Sequence, residues 1–143
     1  MSTKLKDLLD QLPQVGRVRW IGLRPEKFAQ MRVVDSVAVT QDHGLVGDRY
    51  GKARGKRQVT LIQYEHLQAM ASLLHRQPID PGLLRRNIVV AGINLWALKN
   101  RTFQIGTAKL ECTGLCHPCS RMEKALGPGG YNAVRGHGGI TAR

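Results

Sequence analysis

Apolar residues in this chain recur mostly at every second position, in short runs broken by glycine, and helical spacing is confined to a few segments, the main one from Tyr64 to Leu74. That pattern commits the chain to many short strands around few helices. Val18 and Trp20 alternate with Arg17 and Arg19, and Val33 to Thr40 is rich in β-branched residues; both read as strands. Arg57 to Ile62 reads as a strand running into a helix whose Tyr64, Leu67, Met70, Ala71 and Leu74 form one apolar stripe. Pro78 to Gly82 breaks that helix, Asn87 to Ala91 is a short β run, and Thr102–Ile105 with Thr107–Thr113 predicts a hairpin turning at Gly106. In its second arm Ala108, Leu110 and Cys112 share the inward face. Strands without regular strand-helix alternation favour a mainly β, α+β domain, a compact and mostly antiparallel β-barrel with helical inserts, over a doubly wound sheet.

With 143 residues, one domain with one core is expected. Residues 1–14 read as an amphipathic leader helix, capped by Ser2 or Thr3, carrying Leu5, Leu8, Leu9 and Leu12, and closed by Pro13; residues 15–143 form the barrel domain. No apolar run reaches the roughly 20 residues of a membrane span, and the start lacks the apolar core of a secretory signal. A soluble, cytoplasmic protein with no membrane partner is expected. The 22 Lys and Arg against 10 Asp and Glu give a net charge of +12, which predicts attraction to anions. The basic residues are dispersed, with small clusters at Lys52 to Arg57, Arg85-Arg86 and Lys99 to Arg101, and a solvated basic face accounts for them equally well. Aromatic residues make up 5% of the chain, which disfavours a base-stacking nucleic-acid module.

Three cysteines crowd between 112 and 119, too few and too close for the disulfide framework of a secreted fold. Cys119 precedes Ser120-Arg121-Met122-Glu123, the spacing of a capping box, so its thiol is expected at a helix N-terminus. Amide donors there, with Arg121 or His117, favour the thiolate that serves as nucleophile or soft metal ligand. A buried inert thiol is the bland alternative, and the inward phase of Cys112 makes core packing its better reading. The spacing Cys112-x3-Cys116-x2-Cys119 also matches the cysteine loop of iron-sulfur radical enzymes, but too little chain follows for their barrel. A thioredoxin-like redox pair would stand early in its fold, and zinc through His117 or His137 lacks a second close ligand pair. Two glycine-rich loops, Gly44 to Asp48 and Gly127 to Gly139, are either ordinary turns or places of close backbone approach to a ligand, where Arg135 and His137 could meet an anion. Arg85-Arg86-Asn87 offers fork-shaped donors suited to phosphate, or a plain surface pair.

Taken in order, Gly44-Leu45-Val46-Gly47-Asp48, Arg57-Gln58-Val59-Thr60-Leu61-Ile62, Leu84-Arg85-Arg86-Asn87-Ile88, Gly92-Ile93-Asn94-Leu95, Pro118-Cys119 and Gly136-His137-Gly138-Gly139 resemble the MOSC domain. That family is named for the C-terminal domain of molybdenum-cofactor sulfurase and shared with the mitochondrial amidoxime-reducing component and bacterial hydroxylaminopurine reductases. The resemblance covers residues 15 to 143. It implies a β-barrel that holds molybdenum through the dithiolene of a phosphorylated pterin (molybdopterin), with Cys119 as the protein ligand and Arg86 near the phosphate; Asp48, Arg85, Asn87, Arg135 and His137 complete the expected cofactor-binding set. Family members usually continue with a further strand beyond a stretch like Gly138 to Arg143, so the expectation here is either an open barrel edge with a homo-oligomer through it or a sequence that continues past Arg143. The implied function is a small oxidoreductase that reduces N-hydroxylated small molecules with electrons from a separate reductase. A non-catalytic carrier of the cofactor, or of sulfur as a Cys119 persulfide, is the alternative, and a basic nucleic-acid-binding module the third reading.

Overall fold

The computed structural model describes residues 4–51 and 55–143. Strands form where the sequence alternates: β1 (Arg17–Leu23), β2 (Arg32–Val34), β3 (Val39–Thr40), β4 (Gly44–Leu45), β5 (Val59–Gln63), β6 (Ile88–Ala91), β7 (Thr102–Ile105), β8 (Ala108–Leu115) and β9 (Ile140–Ala142). The helices are α1 (Leu5–Leu9), α2 (Tyr64–Leu73), α3 (Ser120–Leu126) and α4 (Gly130–Val134), with 3-10 turns at Pro81–Leu84 and Leu95–Leu98. One seven-stranded sheet runs β2-β1-β6-β5-β9-β8-β7, and β3 pairs with β4 apart from it.

The fold is mainly β with a few helices, as expected, but the sheet is mixed and curls into a half-barrel instead of closing as an antiparallel barrel. Two features cause this. β5 and β6 lie parallel, Leu61 beside Ile88 and Gln63 beside Val90, so the chain between them must cross over the sheet, and α2 with the Pro81–Leu84 turn makes that crossover. The outer strands β2 and β7 remain edges, and Leu95 and Leu98 of a 3-10 turn are buried in the same core cluster. Val33 to Thr40 is not one strand: Asp35 and Ser36 separate β2, which pairs with β1, from β3, in keeping with the turn chemistry of these residue types.

Two apolar layers follow from the alternation. Leu61, Ile88, Val90, Leu110, Cys112 and Ile140 fill the concave side. Ile62 and Val89, on the opposite face of the same strands, pack under Leu67, Met70 and Ala71 of α2 and Met122 and Leu126 of α3. Leu61 and Ile62 are fully buried, each burial contributing about 1.5–3 kcal/mol. The leader is different. Lys4 is the N-cap of α1, Ser2 and Thr3 lie outside the described residues, and Leu5, Leu8 and Leu9 are exposed. Leu12 packs partly on the core, and Arg101 ties the segment down through Asp10 at 2.8 Å and the Leu9 carbonyl at 3.1 Å. Among the described residues no helix is long and apolar enough to cross a membrane.

Candidate cofactor site

A buried polar network lies beneath the loops that follow β1 and precede β6. Arg24 and Asp48 meet side by side, Nη2 to Oδ2 at 2.7 Å and Nε to Oδ1 at 3.0 Å, and both side chains are almost wholly out of water. The Asp48 carboxylate also accepts the amides of Arg24 and Tyr50 and the Asn87 Nδ2. Asn87, fully buried, donates to the Gly22 carbonyl and accepts from the Thr60 amide and hydroxyl. Burial alone would raise the Asp48 carboxyl, but the hydrogen bonds and charge of Arg24 hold it below the ordinary carboxylate range. The predicted residues Asp48 and Asn87 therefore stand inside the protein, bracing β1, β5 and β6. Arg24 escaped the sequence reading because nothing local marks an arginine at a strand end for burial, and Thr60 entered it only as part of a strand motif.

Arg85 and Arg86 are neighbours with different surroundings. Arg85 closes the 3-10 turn at φ 56°, and its guanidinium donates to the carbonyls of Glu26 and Ala29. Arg86 is 5% exposed. Its Nε donates to the Gly138 carbonyl at 2.8 Å and its Nη1 to the Leu84 carbonyl at 2.9 Å, yet among the described residues its buried Nη2 has no hydrogen-bond partner. Such a donor costs about 1–3 kcal/mol unless something meets it. Burial pulls the Arg86 guanidinium below its ordinary range. Gly138 keeps the space open, because a Cβ there would stand 2.0 Å from the Cys116 carbonyl and 3.4 Å from Arg86 Nη2.

Cys112 and Cys116 are buried, and Cys119 is exposed. Cys119 stands at the N-terminus of α3, as expected, but it is itself the N-cap in place of Ser120, and the capping box does not form. Glu123 turns away and accepts the amides of Gly129 at 3.0 Å and Tyr131 at 2.9 Å, joining α3 to α4; these two bonds lower its carboxyl. Arg135 is exposed and donates to Asn132 at 3.3 Å. The His137 Nδ1 lies 3.0 Å from the Ala133 carbonyl, and its ring meets His66 edge-on, centroids 5.0 Å apart. Of the predicted set, Arg86 lies against the predicted glycine loop through the Gly138 carbonyl, and Gly138 in turn lies close to the Cys116 carbonyl.

His66 carries a consequence for stability. Burial first, then His137, lowers its imidazole below the ordinary range, while Glu65 raises it. A folded-state value under the unfolded one gives stability that is complete above about pH 6.5 and lost as pH falls through the lower native value. Urea midpoints are expected to fall between about pH 7 and 5 in the wild type and to fall less in His66→Phe.

Residues 33–138 match the MOSC domain, and the chain belongs to that family, which is associated with the molybdenum cofactor. Its fold is similar to the crystal structure of the YuaD protein from Bacillus subtilis, at a TM-score of 0.74 and 19% identity over 92% of this chain and 89% of that one. At that identity the likeness concerns the fold alone. No curated protein matches the chain.

Proposed function

We propose that the chain binds the molybdenum cofactor with Cys119 as the protein ligand and acts as a small oxidoreductase on N-hydroxylated compounds. The observations that support this reading are the exposed thiol of Cys119 and, among the described residues, a buried guanidinium on Arg86 whose Nη2 has no partner. The residues fit the group. A thiolate is the soft donor molybdenum favours, and Arg86 offers an unused donor to an anion such as the pterin phosphate, its guanidinium plane fixed by Gly138 and Leu84. Among the described residues no three His, Cys, Asp or Glu side chains are placed to share a metal, so the remaining ligands would come from the dithiolene.

When bound, the cofactor supplies the two-electron couple for removing the hydroxyl oxygen of the substrate as water. The chain's own part is to grip through Cys119, hold negative charge through Arg86, and leave room at Gly138. Electrons reach the site from a separate reductase in this reading. The test is molybdenum and pterin content after loading the wild type and Cys119→Ser side by side. The variant is expected to retain about tenfold less molybdenum, in line with loss of a thiolate donor; equal content would end the proposal. Turnover of hydroxylamine-type substrates with a reductant then separates an enzyme from a carrier.

A further inference from the structure

The half-barrel leaves a hollow on its concave side, with a volume of about 450 Å³. Its floor is buried: Leu61 of the central strand β5, Val90 of β6, and Leu95 and Leu98 of the 3-10 turn. Its walls are not. Val18, Ile93, Phe103 and Ile105 line it and belong to the same apolar cluster, yet each is only partly buried. Protein interiors normally pack to the density of organic crystals with few voids. Four half-covered apolar side chains around one void therefore mark a space that the described residues leave unfilled.

Charge and polarity narrow what fills it. Among the described residues that line the hollow, none is Lys, Arg, Asp or Glu, in a chain that carries 22 Lys and Arg and 10 Asp and Glu. An ion entering this space would lose its hydration and gain no partner in return. Polar side chains stand at the mouth, where Gln14 and Gln104 are both exposed. The Gln104 Nε2 donates to the Gly106 carbonyl at 3.0 Å, which fixes the amide plane and leaves Oε1 as an acceptor at the rim. Such an acceptor suits a hydroxyl donor. The strap from Gln14 to Gly16 forms one side of the mouth, and Arg101 pins the chain just before it through Asp10 and the Leu9 carbonyl.

We propose that the hollow is a second ligand site, separate from the Cys119 site, and that it takes an uncharged, mainly hydrocarbon small molecule carrying one hydroxyl. The hydrocarbon body lies between the four walls, and the hydroxyl donates to the Gln104 Oε1. Cavities of about 300–1,000 Å³ with apolar walls and a few polar groups, opening at the mouth of a curled sheet, are the form that small-molecule sites commonly take. A strand added to the free edge of β7 would lie along that edge. The hollow instead reaches down to Leu61 on the central strand, so a compact ligand fills it where an extended peptide does not. None of its lining residues belongs to the candidate cofactor site, and the inference stands without the proposed function.

Titration with 1-octanol, octanoate and octylammonium, which share a chain and differ in charge, tests this through the methyl NMR signals of Val18, Val90, Ile93, Leu98 and Ile105. Octanol is expected to shift these signals saturably and to bind there about tenfold tighter than either ion, because a charge buried without a partner is strongly penalised. It should also raise the melting temperature, as a ligand of the folded state does. Gln104→Leu should weaken octanol about three- to tenfold, the scale of one hydrogen bond. Ile105→Trp, which fills the hollow from its wall, should abolish the shifts of the remaining methyls, and Cys119→Ser should bind octanol as the wild type does. Thermal melts show that each variant is folded before it is scored. The proposal is overturned if octanol leaves the wild-type methyls unmoved, if either ion matches it there, or if folded Gln104→Leu or Ile105→Trp binds it unchanged. It is overturned equally if the same signals shift with protein concentration alone, which would give the hollow to a second copy of the chain.

Discussion

Replacing Asp48 with alanine is expected to destabilise the fold by about 3–5 kcal/mol, because it leaves the Arg24 charge buried without its partner. The carboxylate serves more than that pair. The amides of Arg24 and Tyr50 and the Nδ2 of Asn87 lose their acceptor at the same time. Glu111, paired with Arg143 at 3.1 Å on an exposed surface, is the contrast: its replacement should cost under about 1 kcal/mol. The sign with pH follows from the lowered Asp48 carboxyl. Its contribution is complete above about pH 4 and is lost as pH falls through the lower native value, so the alanine variant should show a shallower acid limb in urea unfolding. A loss near that of the exposed control would mean that the pair is not shielded from water.

The second large effect is expected at Gly139. Its φ is 91°, and a Cβ would stand 1.9 Å from the Leu61 carbonyl oxygen and 3.0 Å from the Ile62 Cα. These are backbone atoms of the central strand β5 and cannot rotate away. Gly139→Ala must therefore push β9 from β5, and because the Gly139 carbonyl accepts the Cys116 amide at 2.8 Å, the Cys116–Cys119 loop moves too. A loss on the order of 3–5 kcal/mol is expected, in the range of steric clash plus backbone strain. Gly136, also at positive φ but with nothing within 4 Å of an added Cβ, is the internal control; Gly136→Ala should cost about 1–2 kcal/mol from backbone strain alone. Similar melting temperatures for the two variants would refute the packing argument.

Much of the local structure was legible because periodicity reports which face of an element meets the core. The hairpin turning at Gly106, the stripe of α2 and the inward phase of Cys112 all follow from spacing. Partner choice does not. Nothing in the run Val59 to Gln63 tells whether its neighbour is parallel, and the half-barrel depends on that choice. Arg24 becomes a core residue only because Asp48, 24 positions away, reaches it. Glu123 had the right spacing to cap its own helix, but the turn through Gly127 and Gly129 delivered two amides of α4 instead. At the candidate site, Cys119 and Arg86 were visible as chemistry, through thiol and guanidinium residues in short motifs. The two hydrogen bonds by which Arg85 holds the Glu26 and Ala29 carbonyls were not, since no residue near that loop announces them.

The place of β9 bears on how the molecule comes together. It follows every other strand of the sheet in sequence, yet it docks between β5 and β8. Until it arrives, the β2-β1-β6-β5 portion and the β7-β8 hairpin are two unjoined pieces, each with a bare row of amides and carbonyls along one flank. Pairings so distant along the chain form slowly, and bare flanks invite neighbouring copies to add on. A nascent or heat-loosened chain is thus most vulnerable to clumping at the seam that this last strand closes.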